Sequence, residues 1–216
     1  MLKKSEITAH IDHTLLSQTA GIDQIKAICD EAVHFGAASV CIPPAYVKEA
    51  AQYLKGAVPV CTVIGFPNGY NTTEIKCAEA KQAIDEGAEE IDMVINVAFL
   101  KDGRYDYVED EIRRVKEVCG EKILKVIVET CFLTEEEKIF MCKAIASAGA
   151  EYIKTSTGFG TGNATFEDVE LFSRCLDGTK VKIKASGGIK TFEDAAKFLE
   201  LGADRLGSSS LIKSLI

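Results

Sequence analysis

Gly149-Ala150-Glu151-Tyr152-Ile153-Lys154-Thr155-Ser156-Thr157-Gly158 closes a helical pattern, runs through a short apolar strand and opens into a loop of small polar residues. The glycine suits the position just past a helix, where φ is positive. The same Gly-Ala step stands before three other apolar runs. Gly36-Ala37 precedes Ser39-Val40-Cys41-Ile42, Gly87-Ala88 precedes Ile91-Asp92-Met93-Val94-Ile95, and Gly202-Ala203 precedes Arg205-Leu206-Gly207. A helix that stops on glycine and hands over to a strand, again and again, points to serial βα units.

Helix starts are equally regular. Asn71-Thr72-Thr73-Glu74 and Thr134-Glu135-Glu136-Glu137 read as capping boxes. Thr165-Phe166-Glu167-Asp168 and Thr191-Phe192-Glu193-Asp194 read as one N-terminal cap used twice. Apolar residues recur at helical spacing at Ile22, Ile25, Ile28, Cys29, Ala32 and Val33, and at Ile139, Cys142, Ile145 and Ala146. Further strands are read at His10–His13, Val58–Ile64 and Ile123–Val128. Eight strands result, near Ile11, Val40, Thr62, Met93, Val126, Ile153, Ile183 and Leu206. Their spacing of roughly 22 to 33 residues is that of a βαβ step. The expected fold is therefore α/β, a single-domain (β/α)8 TIM barrel over residues 1–216. The alternative, an open doubly wound sheet, is weakened because no G-x-G-x-x-G follows the first strand.

Composition narrows the function. A formal net charge of -8 makes nucleic acid an unsuitable partner. No apolar run approaches a membrane span, and Met1-Leu2-Lys3-Lys4-Ser5-Glu6 is not a secretory start, so no membrane partner and a cytoplasmic location are expected. The 8 cysteines are scattered without a C-x-x-C pair, which suits small buried side chains in a reducing compartment. His10 and His13 are spaced like metal ligands, but a third ligand is not evident, so neither a metal nor a cofactor is expected.

Strand parity sorts the polar residues. In a barrel, alternate residues face the interior, and chemistry sits at the C-terminal strand ends. Ile153 and Thr155 face the helices, which leaves Lys154 inside. Lys184 points inward beyond Lys182, which either plugs the barrel bottom or starts the strand at the surface. Asp92, Val94 and Asn96 share a face, as do Lys125, Ile127 and Glu129. With Asp12 on the first strand, the interior is expected to hold Lys154, Lys184, Lys125, Asp92 and Asp12. One such pair would read as a structural ion pair. Three lysines and two aspartates converging on one barrel mouth read as a functional cluster.

A lysine amine attacks carbonyl carbon to form a Schiff base, an electron sink for proton loss or C–C cleavage. It must first lose its proton, from an ordinary pKa of about 10.4. Burial and a neighbouring ammonium both favour that loss. Lys184 beside Lys154 supplies the neighbour, and Asp92 is placed to shuttle protons. Gly187-Gly188 and Gly207-Ser208-Ser209-Ser210 follow strands seven and eight, where barrels bind phosphate. The open run from Gly158 to Asn163 could complete that site or act as a lid.

These residues meet a family. The chain resembles deoxyribose-phosphate aldolase, in Ile11-Asp12-His13-Thr14-Leu15-Leu16, Val40-Cys41-Ile42-Pro43-Pro44, Val63-Ile64-Gly65-Phe66-Pro67 and Glu90-Ile91-Asp92-Met93-Val94. The likeness continues in Lys125-Val126-Ile127-Val128-Glu129-Thr130, Tyr152 to Phe159, and Lys184 to Thr191. The resemblance implies a class I aldolase that reversibly cleaves 2-deoxy-D-ribose 5-phosphate to D-glyceraldehyde 3-phosphate and acetaldehyde, in deoxyribose catabolism. By motif, Lys154 forms the Schiff base, Lys184 tunes it and Asp92 relays protons. The expected substrate contacts are Asp12, Lys125, Thr155, Gly158, Gly187, Gly188, Gly207, Ser209 and Ser210. Lys190 stands where some members carry arginine and Phe159 where some carry lysine, both at the phosphate end. The expected partners are a small phosphorylated aldehyde or sugar and further copies of the chain, as a homodimer or higher homo-oligomer. Two other readings stay open: a sugar-phosphate aldolase or transaldolase of another specificity, and a non-catalytic barrel that binds a phosphorylated effector.

Overall fold

The computed structural model describes residues 2–215; Met1 and Ile216, the ends of the expected domain, lie outside them. Eight parallel strands form a closed barrel in chain order. They are β1 (Ile11–Thr14), β2 (Ser39–Ile42), β3 (Val60–Ile64), β4 (Glu90–Val94), β5 (Ile123–Ile127), β6 (Tyr152–Lys154), β7 (Lys182–Ser186) and β8 (Arg205–Ser208). β8 pairs back onto β1, with Gly207 opposite Asp12.

Helix α1 (Lys4–Thr8) precedes the barrel. The crossovers carry α2 (Ile22–Phe35), α3 (Val47–Leu54), α4 (Thr73–Asp85), α5 (Val97–Lys101), α6 (Tyr105–Cys119), α7 (Glu135–Ala148), α8 (Phe166–Cys175) and α9 (Phe192–Glu200). Among the described residues no helix is long and apolar enough to cross a membrane. The main core lies between strands and helices. There Ile91, Met93, Leu124, Val126, Ile153 and Leu206 meet Ile25, Ile28, Ile112, Val115, Ile145 and Phe172, all buried. Within the barrel a much smaller apolar cluster, Cys41, Cys61 and Val63, shares the interior with charges.

The punctuation works largely as the sequence suggests. Gly36 and Gly149 end α2 and α7 in the left-handed conformation. Thr134 and Glu137 form a reciprocal capping box, and Thr165 and Thr191 accept from the N–H groups of Asp168 and Asp194. Two readings shift. Thr72 occupies the N-cap of α4 but its side chain makes no cap bond; that end is tied through Thr73, whose hydroxyl donates to Tyr107 at 3.0 Å. β3 begins at Val60 rather than Val58, because Pro59 has no N–H to give the ladder.

Among the described residues one fully buried ion pair lies outside the barrel, between helices. Lys76 of α4 and Glu111 of α6 are both fully buried, with Nζ and Oε1 2.9 Å apart. Lys76 also donates to the Val94 carbonyl at 2.8 Å, and Glu111 accepts from the Asn96 N–H at 3.3 Å. The pair thus clamps two helices onto the C-terminal end of β4. Removing one partner strands the other charge in the core. Lys76→Ala should lose about 3–5 kcal/mol of stability in urea unfolding, whereas the apolar double change Lys76→Met with Glu111→Leu should recover most of it. Equal losses in both variants would contradict the clamp.

Candidate active site

The interior side chains assemble around one carboxylate. Asp92 of β4 is fully buried. Its Oδ1 accepts from Lys125 Nζ of β5 at 2.9 Å, and its Oδ2 from Lys154 Nζ of β6 at 2.7 Å and Lys184 Nζ of β7 at 2.6 Å. Strand register brings this about: Asp92 pairs with Lys125, Ile127 with Lys154, and Lys154 with Lys184. Neighbouring strands therefore deliver their charges at nearly one level.

Beneath this level lies a second set. Lys184 reaches Asp12 Oδ2 at 2.5 Å, and Lys125 reaches Glu90 Oε2 at 2.6 Å and Asp12 Oδ2 at 3.6 Å. Arg205 joins Asp12 and Glu90 from β8, Ser39 of β2 donates to Asp12 at 2.7 Å, and the Cys61 thiol of β3 donates to Asp92 Oδ1 at 3.2 Å. Three carboxylates, Asp12, Glu90 and Asp92, face four cations, Lys125, Lys154, Lys184 and Arg205. The cluster carries one positive charge in excess.

Burial by itself would raise Asp92, but Lys125, Lys154 and Lys184 hold it well below the usual carboxylate range. Asp12 follows the same logic: burial opposes, and Lys184, Lys125 and Arg205 prevail. Burial would lower Lys184, yet Asp12 and Asp92 keep it above an ordinary lysine. Lys125 is raised likewise, chiefly by Asp92 once burial is overcome. Lys184 and Lys125 are thus ammonium ions at neutral pH.

Lys154 differs in its surroundings. It touches a single carboxylate, and it lines a cavity of about 500 Å³ at the barrel mouth. Of the expected substrate contacts, Gly158, Gly187, Gly188, Gly207, Ser209 and Ser210 line that cavity. Asp12 and Lys125 do not; they lie fully buried in the lower set. Thr155 is also buried, its hydroxyl accepting from Ser186 N–H at 3.1 Å and stitching β6 to β7. Lys182 lies exposed at the start of β7, its ammonium 5.8 Å from the Tyr152 ring centroid.

The phosphate-like end is more elaborate than its glycines suggest. Gly187 and Gly188 have φ of 85° and 74°. A Cβ on Gly187 would sit 2.7 Å from Asn163 Oδ1, so the turn also makes room for Asn163, another lining residue. Ser208 Oγ donates to the Ile189 carbonyl and accepts from the Ser210 and Leu211 N–H groups, tying the β7 and β8 loops together. Among the described residues, the N–H groups of Gly187, Gly188 and Ser209 meet no protein acceptor. Lys190 and Lys213 complete the lining, which contains no carboxylate. A chain of net charge -8 thus presents an electropositive cavity.

Sequence reasoning missed several members. Glu90 shares the interior face of Asp92 by parity, and Arg205 shares that of Gly207, so both carried a usable signal. Lys213 sits in a single 3-10 turn, Ile212–Leu215, too short for a period to mark a direction, and Asn163 closes the loop expected to complete the site or act as a lid. The cysteines are less scattered than they read: Cys41 and Cys61 bring their sulfurs within 4.8 Å of an Asp92 oxygen. Three ammonium groups already surround that oxygen pair, which makes the triad a poor seat for a cation.

A closed (β/α)8 barrel whose buried cluster opens one lysine into the cavity, backed by a second, permanently charged lysine and a carboxylate, defines a Schiff-base aldolase class of site. The DeoC/LacD family aldolase model matches residues 7–214. The deoxyribose-phosphate aldolase of Clostridium botulinum (strain Alaska E43 / Type E3) is 55% identical over 211 residues, covering 98% of this chain and 95% of that protein. The enzyme of the same name from Clostridioides difficile (strain 630) is 54% identical over 205 residues, with 95% and 93% covered. Among solved structures, deoxyribose phosphate aldolase from Aeropyrum pernix, described as a unique tetramer, superposes with a TM-score of 0.92 at 28% identity, covering 99% of this chain and 94% of that one. A further aldolase superposes with a TM-score of 0.92 at 39% identity, covering 96% and 93%. The chain belongs to the DeoC/LacD aldolase family and is a carbon–carbon lyase.

The depressed carboxylates and elevated lysines fix the pH window of stability. Groups with lowered folded pKa stabilise above the ordinary carboxylate value of about 3.9 and lose that contribution as pH falls further. Groups with raised folded pKa stabilise below about 10.4 and lose it as pH rises. Unfolding free energy should therefore decline on the acid side below about pH 4 and on the alkaline side above about pH 10. Asp12→Asn should flatten the acid limb in urea titrations, and an unchanged limb would remove Asp12 from the cluster's energetics.

Proposed function

We propose that the chain reversibly cleaves 2-deoxy-D-ribose 5-phosphate to D-glyceraldehyde 3-phosphate and acetaldehyde, through a Schiff base on Lys154. The observation that carries this reading is that, of the four cations in the cluster, Lys154 is the one that lines the cavity. It is also the cation the cluster holds by the fewest contacts. Lys125 contacts three carboxylates, and Lys184 and Arg205 two each, whereas Lys154 contacts one.

The neutral amine adds to the C1 aldehyde of the open-chain sugar, and loss of water gives the iminium. The C3 hydroxyl then gives up its proton and the C2–C3 bond breaks. Its electron pair passes into the iminium, leaving an enamine on Lys154 and releasing glyceraldehyde 3-phosphate. Protonation at C2 and hydrolysis free acetaldehyde and restore the amine. Asp92, hydrogen-bonded to both Lys154 and Lys184, is the group positioned to move these protons, directly or through water. Lys184 keeps a positive charge beside the nitrogen throughout, which favours the neutral amine before attack.

The 5-phosphate fits the opposite end. The N–H groups of Gly187, Gly188 and Ser209, the hydroxyls of Ser209 and Ser210, and the ammonium of Lys190 converge there. The eight free cysteines suit a reducing cytoplasm. Assembly as a homodimer or higher oligomer is supported by the tetramer described for the Aeropyrum relative.

Two measurements test this reading. Acetaldehyde with borohydride should add one ethyl group to Lys154, located by peptide mass spectrometry, and Lys154→Ala should abolish both labelling and turnover. Labelling confined to exposed lysines, with Lys154→Ala still active, would assign the chemistry elsewhere. Ser210→Glu places a negative charge against the phosphate. It should lower kcat/KM for the phosphorylated sugar by about tenfold or more, the order of 1.4 kcal/mol, while sparing plain 2-deoxyribose. Equal losses on both sugars would move the phosphate to another wall.

A further inference from the structure

One buried carboxylate takes no part in the ionic cluster. Glu129 follows β5 and is 4% exposed, and among the described residues its carboxylate accepts hydrogen bonds only from Thr157. Its φ is 55°; among the described residues Lys55 is the other non-glycine with positive φ, and Lys55 ends α3 at the surface. A buried carboxylate without a cation is unfavourable, and so is a left-handed backbone at a residue with a Cβ. Both burdens on one residue, two strand positions past Ile127 and beside the site, call for a compensating task.

The contacts show what Glu129 holds. Its Oε1 accepts from the Thr157 N–H at 3.1 Å and its Oε2 from the Thr157 hydroxyl at 2.5 Å. That hydroxyl in turn accepts from the Phe159 N–H at 2.9 Å. The left-handed turn at Glu129 leads into a 3-10 turn, Thr130–Phe132, whose Thr130 N–H donates to the Thr155 carbonyl at 2.9 Å. Gly160 lies flat on the carboxylate: a Cβ there would be 3.1 Å from Glu129 Cδ.

The segment so held begins three residues after Lys154 and forms a partition. Thr157 and Phe159 line the reaction cavity on one side. On the other they line a second cavity of about 340 Å³, with Glu129, Val97 and Phe132 in its wall. Phe159 is half exposed and stands edge-on to Phe66, ring centroids 5.3 Å apart. That ring contact, the Glu129 bonds and the packing of Gly160 on Cys131 hold the partition in place.

We infer that Glu129 is a positioning residue for the acceptor half of the substrate: through Thr157 it latches the 157–160 segment as the wall between the two cavities. The inference rests on the aldolase reading above and assigns Glu129 no contact with the reacting atoms. Imine formation with a molecule as small as acetaldehyde needs Lys154 and its cluster, not the wall. Binding and cleavage of the five-carbon sugar phosphate need both.

Glu129→Gly separates this role from a merely structural one. Glycine adopts positive φ freely and removes the buried charge, so the thermal midpoint should be kept or raised. The latch is nonetheless lost. Amide exchange at Thr157 and Phe159 should accelerate by about tenfold or more without any substrate present. KM for 2-deoxyribose 5-phosphate should rise about tenfold, with borohydride trapping of acetaldehyde on Lys154 within about twofold of the parent protein. Glu129→Gln, which keeps one acceptor, should fall between. Thr157→Val should reproduce the loss, and the double variant should be no worse than either single one. Undiminished protection of both amides in Glu129→Gly would overturn the latch whatever the substrate. A joint fall of thermal midpoint, trapping and turnover would overturn it in favour of a structural role. Failure of the parent protein to cleave the sugar phosphate would count against the aldolase reading alone, since the exchange measurement still decides the latch.

Discussion

Everything in this barrel is arranged around the Asp92 carboxylate, a single negative charge shared by three ammonium groups. Its two oxygens, fully buried, accept from Lys125, Lys154 and Lys184 at 2.6–2.9 Å. Desolvating such charges is expensive, and the expense is offset only where geometry is good and every remaining donor has a partner. The closed sheet supplies that geometry. Each strand contributes one or more polar groups: Asp12, Ser39, Cys61, Glu90 with Asp92, Lys125, Lys154, Lys184 and Arg205, from β1 to β8 in turn.

The partners are graded from bottom to top. Arg205, Glu90, Lys125 and Asp12 saturate one another well below the cavity, while Lys154 stands at the upper edge with one carboxylate contact. A cluster of this shape is a scaffold at one end and a reagent at the other. The lower charges fix the electrostatic setting, and the uppermost lysine is left with the freedom to exchange a proton for a carbon.

Much of this was legible in the chain. The Gly-Ala steps and Thr-x-x-Asp caps marked where helices stop and start, and period-two parity turned Lys154, Lys184, Asp92, Lys125 and Asp12 inward. The missing pieces have physical reasons. Glu90 and Arg205 open their strands, where a charge reads as a solvated border unless its face is followed through. Pro59 trimmed β3 because a ladder needs a donor that proline lacks. Asn71 opened the expected capping box, but the N-cap falls one residue later at Thr72, and the sequence offers no sign that Tyr107, far along the chain, would anchor that helix end through Thr73. Lys213 belongs to a short 3-10 turn, and the left-handed turn at Glu129 has no glycine to announce it. Thr155 was named for the substrate and instead joins β6 to β7, since the residue after an inward lysine points the other way.

The bond between Arg205 and Asp12 also bears on how the molecule folds. These residues stand 193 positions apart and face each other across the seam where β8 meets β1. Until the last strand docks, Asp12 and Glu90 lack their guanidinium and rely on Lys184 and Lys125 alone, in a sheet still open along that seam. Such a part-formed sheet is penalised, so it is driven either back toward hydration or forward to closure. The ionic core therefore acts on the folding pathway as a cooperativity device. It makes the final long-range contact, the slowest to find by chain entropy, a condition for the earlier ones to be worth keeping.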